Sequence, residues 1–188
     1  QMLAVKLGET EFRSAFLEMC DDATKKLYFK KEKECLAEFP QSRYDSLKFR
    51  TFKRVLGKFM FYDTKPYLEK LFLKEIGDEK KWGEKLYLSD ADLREIQKKG
   101  FNIGGHGAEH RWMASLTTGA AEEEIKKSAD RVFKFADGPF VFSYPYGNYD
   151  KSLFPILEKY NFKVAFTIEE KTEHDNFFAI GRFDANSM

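Results

Sequence analysis

His106 and His110 stand four residues apart in the stretch Gly104-Gly105-His106-Gly107-Ala108-Glu109-His110, and the chain has only three histidines. Neutral imidazole is the commonest protein ligand for zinc and similar ions. A pair at this spacing can reach one ion from a helix turn or from a tight loop at a strand end. The spacing alone fits two polar loop residues equally well, so the flanking segments must decide. The third histidine, His174, lies in the charged run Glu169-Glu170-Lys171-Thr172-Glu173-His174-Asp175 and reads as a solvated loop residue.

The elements around the pair can be read from pattern. Ser89 is a good N-cap with Asp92 three residues on. Leu93 and Ile96 share a face, lysines fill the last turn and Gly100 closes it, which predicts a helix over 89–100. Phe101 to Gly105 then reads as a short strand delivering the histidines. A second helix runs from about Ala120 to Phe135, with Ile125, Ala129, Val132 and Phe133 at helical spacing. The apolar run Pro139 to Gly147 reads as a buried strand ending in a turn. A helix over 150–160 places Leu153, Ile156 and Leu157 on one face, and Lys163 to Ile168 is apolar enough for an internal strand. Strands are therefore expected near 101–105, 140–144, 163–168 and 177–181. If they run parallel, His106, His110 and the Pro145-Tyr146-Gly147 turn line one cleft at the same end of the strands.

This order of elements resembles the polysaccharide deacetylases, carbohydrate esterase family four. Their second motif, His-Ser/Thr-x-x-His, is matched by His106-Gly107-Ala108-Glu109-His110. Their third, Arg-x-Pro-Tyr/Phe-Gly, is matched in part by Ser143-Tyr144-Pro145-Tyr146-Gly147. The ending Asp175 to Asp184 is similar to the closing strand of one bacterial branch, and the resemblance covers roughly Leu86 to Asp184. It implies an α/β fold, an incomplete or distorted (β/α) barrel with a helical N-terminal region. It also implies a metal-dependent hydrolase that removes acetyl groups from a carbohydrate. His106 and His110 would hold a divalent metal, zinc by expectation, in a two-histidine site. Pro145, Tyr146 and Gly147 would contact substrate, with the backbone N–H of Tyr146 holding the oxyanion.

The departures bear on activity. The family's first motif, Thr-Phe-Asp-Asp, supplies the general base and a third metal ligand, and no such motif is found. Asp21-Asp22 is the only Asp-Asp pair, and it follows Phe12, Phe16, Leu17, Met19 and Cys20 in a helical context. The chain thus reads as starting after the first barrel strand. Gly107 replaces Ser or Thr, Ser143 replaces the arginine, and Arg182 falls where the acid histidine is expected. Glu109, Asp150 and Asp184 are the carboxylates nearest in sequence to the motifs. Glu109 reads as a surface or salt-bridging residue rather than a substitute ligand. These losses point to a weak or inactive deacetylase, and leave open a non-catalytic carbohydrate-binding or scaffolding relative.

The formal charge is +1, so bulk charge offers no signal for nucleic acid or an anionic membrane surface. No apolar run approaches a membrane span and no signal peptide opens the chain, so the expected location is cytoplasmic. Cys20 and Cys35 lack metal spacing and read as reduced, packed thiols. Residues 1–85 read as short helices, with Phe12, Phe16, Leu27, Phe29, Leu36 and Phe39 at mostly helical spacing, a break at Pro40-Gln41-Ser42 and a new helix from Ser46. Pro66 is expected in the first turn of a helix running to Gly77. The many phenylalanines read as core, with an aromatic sugar platform as the alternative. Residues 86–188 form the deacetylase-like core. A barrel lacking one strand has exposed edges, which could pair two copies of the chain.

Overall fold

The computed structural model describes residues 2–35, 45–136, 139–169 and 176–183, in two compact units, Gln1–Tyr87 and Leu88–Met188. The first unit is helical: α1 (Met2–Leu7), α2 (Glu9–Met19), α3 (Asp22–Cys35), α4 (Leu47–Arg54), α5 (Phe61–Glu75) and α6 (Glu79–Leu86). Its phenylalanines are core. Phe12 and Phe16 of α2 meet Phe52 of α4 edge-on, at ring-centroid distances of 5.2 and 5.5 Å. Such pairs add favourable quadrupole contacts to the burial of apolar area. Cys20 and Cys35 are buried, and neither forms a disulfide among the described residues. Leu36, Phe39 and the break at Pro40-Gln41-Ser42 lie outside the described residues.

Three local features of this unit follow from side-chain chemistry. The Asp21 carboxylate accepts the Thr24 N–H at 2.7 Å and the Tyr67 hydroxyl at 2.8 Å, so the Asp-Asp pair opens a helix, as its context suggests. Arg13 grips both oxygens of Glu32 at 2.8 and 3.0 Å, while the Tyr28 hydroxyl donates to Glu32 at 2.7 Å. Pro66 departs from expectation. It sits inside α5, beyond the first turn, because the helix restarts at Phe61 directly after a π-turn over Val55–Phe59. A proline there leaves one i→i−4 bond unmade.

The second unit carries α7 (Asp90–Lys98), α8 (Thr118–Val132), β1 (Phe140–Ser143), α9 (Phe154–Lys159) and β2 (Phe162–Phe166). Helix α7 has the expected cap: Ser89 and Asp92 form a reciprocal capping box, and Gly100 closes the helix at φ 85°. Helix α8 starts two residues before the expected Ala120, because the Thr117 hydroxyl caps it through the Ala120 N–H. Strands β1 and β2 are parallel neighbours, joined through α9. Phe142 of β1 and Phe162 and Ala165 of β2 are buried with Ile125 and Ala129 of α8 and Leu157 of α9.

The other two expected strands are each reduced to one bridge, Gly105 to Phe142 and Ile180 to Phe166, both parallel. At the first, two glycines lie so close to β1 that a β-carbon on Gly104 would stand 2.7 Å from Val141 Cγ2. Glycine pairs of this kind favour close approach over extended pairing. At the second, the Asn176 side chain accepts the Phe178 N–H at 2.9 Å and starts a turn that competes with the ladder. Among the described residues the sheet is thus a two-stranded parallel core with a bridge on each side, and they do not show the expected barrel. The architecture is helix-rich α/β.

Candidate active site

His106 follows the Gly105 bridge, at the C-terminal end of the sheet. Gly105 donates to the Val141 carbonyl and its own carbonyl accepts from Ser143 N, both at 2.8 Å. Only glycine fits there: a β-carbon would stand 2.8 Å from Ser128 Oγ and 2.9 Å from the Phe142 and Phe162 rings. The His106 backbone N–H donates to Ser128 Oγ at 3.2 Å. Its ring Nδ1 lies 2.6 Å from the Ser143 carbonyl oxygen. A carbonyl only accepts, so Nδ1 carries the proton and Nε2 presents its lone pair. Outer hydrogen bonds of this kind orient ligating histidines.

The loop to His110 is held from beneath by α8. Glu124 is buried, and one of its oxygens, Oε2, accepts the N–H groups of Ala108 and Glu109, each at 2.9 Å. Glu124 and Ser128 are four residues apart on the otherwise apolar face of α8 that includes Ala121, Ile125 and Ala129. Sequence reasoning missed both. The signal was there: two polar residues interrupting a buried helical stripe are there to satisfy something. Gly107 has φ 75°, a conformation that a serine or threonine adopts only under strain, so this loop differs in backbone shape as well as side chain from one carrying either residue.

His110 itself has φ 55°, and its ring lies edge-on to His106 with centroids 4.8 Å apart. Burial, followed by the neighbouring His106, lowers the His110 pKa and favours the neutral ring that can coordinate a metal. On its other side the His110 ring meets Tyr146 at 4.6 Å. Tyr146 occupies the middle of the 3-10 turn Pro145–Gly147, also left-handed at φ 59° and ψ 10°. A non-glycine residue in this region costs about 1–3 kcal/mol. Trp112 stacks on Tyr146 at 4.4 Å with the rings 9° from parallel. Asn148 Oδ1 accepts the Ala114 N–H at 2.9 Å and ties the same turn to the segment that carries Trp112. As the second residue of a single turn, Tyr146 has an N–H with no acceptor within the turn.

The structure therefore brings His106, His110, Pro145, Tyr146 and Gly147 together. Among the described residues neither Glu109 nor Asp150 joins them in a group that could hold a metal. Asp150 caps the next turn through the Ser152 N–H at 2.8 Å. Glu109 is exposed and joins no three-residue cluster, because among the described residues no group of three His, Cys, Asp or Glu could hold a metal. Arg182 Nε donates to the Thr167 carbonyl at 2.8 Å, pinning the chain after the Ile180 bridge to the end of β2. His174 and Asp184 lie outside the described residues. Two adjacent imidazoles, one with its second nitrogen already bonded to a carbonyl, have donor chemistry that fits two positions around zinc.

Comparison with known proteins adds the following. The family model "Polysaccharide deacetylase" matches residues 59–165, a span that contains both histidines and the Pro145–Gly147 turn. No curated protein matches. Two solved structures align with the chain. One is the Streptococcus pyogenes deacetylase PplD in complex with acetate, at 17% identity over 90% of this chain and 79% of that one, with a TM-score of 0.48. The other is the polysaccharide deacetylase BA0330 from Bacillus anthracis, at 18% identity over 90% of this chain, with a TM-score of 0.44. The chain spans 56% of the length of the second.

Proposed function

Since the chain belongs to the polysaccharide deacetylase family, we propose that His106, His110 and the Pro145–Gly147 turn form a metal-dependent site for removing acetyl groups from a carbohydrate. The observation that carries the reading is the pairing of the two imidazoles, 4.8 Å apart between centroids, with the Tyr146 turn against one of them. His106 and His110 would hold the ion, zinc being the metal their nitrogen donors suit. A divalent ion held there would supply Lewis-acid chemistry, polarising an acyl carbonyl and lowering the pKa of a water. The chain's own groups prepare the rest. The Ser143 carbonyl fixes the His106 tautomer, and Glu124 holds the loop between the histidines. The Tyr146 N–H, unclaimed within its turn, is a donor for the oxygen of the acyl group as it gains charge. Tyr146 and Gly147 form the wall that an acetylated sugar would meet.

A second reading, a carbohydrate-binding relative without catalysis, is favoured by one observation: the described residues bring no third ligand to the histidines. Catalytic zinc sites usually have three protein ligands. Two measurements separate the readings. Calorimetric zinc titration of the chain and of the His106→Ala/His110→Ala variant tests the metal site, and acetate release from an acetylated chito-oligosaccharide tests catalysis. The expected result is one zinc bound per chain, lost in the double variant, with slow acetate release that is lost with it. Zinc binding that survives the double variant overturns the site. Zinc binding and oligosaccharide binding with no acetate release select the second reading.

A further inference from the structure

Trp112 has no role in the reading above, and its ring lies nearest to Tyr146, at 4.4 Å between centroids. We propose that Trp112 is a positioning residue: its stack on Tyr146 holds the left-handed turn and, through the Tyr146 ring, sets the orientation of His110. The geometry is a chain of four rings. Trp112 and Tyr146 lie parallel, 9° apart at 4.4 Å, and Tyr146 meets His110 edge-on at 4.6 Å and 70°. His110 then meets His106 edge-on at 4.8 Å and 67°.

The two histidines are not held alike. His106 has a direct anchor, its Nδ1 on the Ser143 carbonyl. Among the described residues the His110 ring has a hydrogen bond only to its own backbone, which is left-handed, and otherwise meets the His106 and Tyr146 rings. Tyr146 is left-handed too, and 42% exposed, so its ring would swing toward solvent without something on its face. Trp112 supplies that face. It is half-buried and placed by neighbours on both sides: Arg111 and Met113 are buried, and the turn it precedes is tied to the Tyr146 segment through Asn148. Outer groups that orient a ligating histidine typically change metal affinity 10–100-fold when removed.

The functional half of this proposal rests on the metal reading of the site, and the test separates the two. Trp112→Ala, Trp112→Phe, Tyr146→Ala and the Trp112→Ala/Tyr146→Ala double variant are made in the whole chain. The imidazole resonances of His110 are followed by NMR without metal, and zinc affinity is measured by calorimetry. Ring currents make the His110 protons report directly on the position of Tyr146. Trp112→Ala should move the His110 resonances and weaken zinc binding about 10-fold. Trp112→Phe, which keeps a ring on the face of Tyr146, should restore most of both. In the Tyr146→Ala background, Trp112→Ala should have no further effect, which a general loss of stability would not produce. His110 resonances unmoved by Trp112→Ala overturn the proposal, as does an equal effect of Trp112→Ala with and without Tyr146. If the unsubstituted chain binds no zinc, the metal reading alone falls and the resonances still decide the positioning role. A Trp112→Ala chain that does not fold is replaced by Trp112→Leu, which keeps bulk without an aromatic face and should behave as the alanine variant does.

Discussion

Glu124 is the residue on which the histidine loop rests, and its removal has a calculable cost. Its Oε2 accepts two backbone N–H groups, from Ala108 and Glu109, each at 2.9 Å. Hydrogen bonds to charged acceptors are worth about 1.5–3 kcal/mol each. Ala108 and Glu109 are exposed, so water recovers part of that when the acceptor is lost. Glu124→Ala should therefore destabilise the protein by about 2–3 kcal/mol in total. Glu124→Gln keeps an oxygen in place that can accept both N–H groups and loses only the charge, so about 1 kcal/mol is expected. Urea unfolding gives the overall order, with the parent above Gln and Gln above Ala. Native-state hydrogen exchange gives the location: the Ala108 and Glu109 amides should lose protection in the alanine variant while the β1 amides keep theirs. Unchanged exchange at those two amides in Glu124→Ala would refute the argument that α8 holds the loop.

Three further outcomes follow from packing and burial. Gly105→Ala drives a methyl to within 2.8–2.9 Å of Ser128 Oγ and two phenylalanine rings, so a urea-measured loss of about 1–3 kcal/mol is expected. Tyr28→Phe removes a fully buried hydroxyl that donates to Glu32 at 2.7 Å, and should cost about 1–2 kcal/mol by the same measurement. Burial pushes the Cys20 thiol up to about 11. The native protein should therefore resist alkylation at Cys20 at pH 8, and mass spectrometry should find it labelled readily only after denaturation. The sign for stability is that a raised thiol pKa favours the folded state at low pH. The Cys20 contribution is full below the ordinary thiol value of 9.0 and is lost as pH rises towards 11.

Much of the second unit was legible because local chemistry and tertiary structure agree there. The capping box at Ser89 and Asp92, the glycine stop at Gly100 and the apolar stripe of α8 each state a boundary or a face, and the structure keeps them. The strands were legible as apolar runs, but their extent was not. Nothing in Phe101 to Gly105 or in 177–181 says that one residue of each will pair, because that depends on how closely Gly104 meets Val141 and on the turn at Asn176. Pro66 was misplaced for a related reason. The chain carries no local mark that α5 restarts after a π-turn, five residues before the proline. Helix α6 was not singled out within the helical region 1–85, although Asp78 caps it through the Lys80 N–H at 2.8 Å.

The site divides in the same way. The histidine pair was legible, because spacing is a property of the sequence, and so was the turn, because Pro-Tyr-Gly is one. The groups that orient them were not. The Ser143 carbonyl, which fixes the His106 tautomer, is a backbone atom and leaves no trace in residue identity. Trp112 reads as one more aromatic until the chain folds it onto Tyr146. Glu124 and Ser128 are the exception, since polar side chains on a buried stripe announce an unmet hydrogen bond nearby. This asymmetry has a physical basis. Ligands and nucleophiles are chosen by element and charge, which sequence records. Orientation is set by which surfaces come into contact, and any residue of suitable shape can supply it. In this protein the histidines could be found by reading, whereas the parts that make them a pair had to be found in the packing.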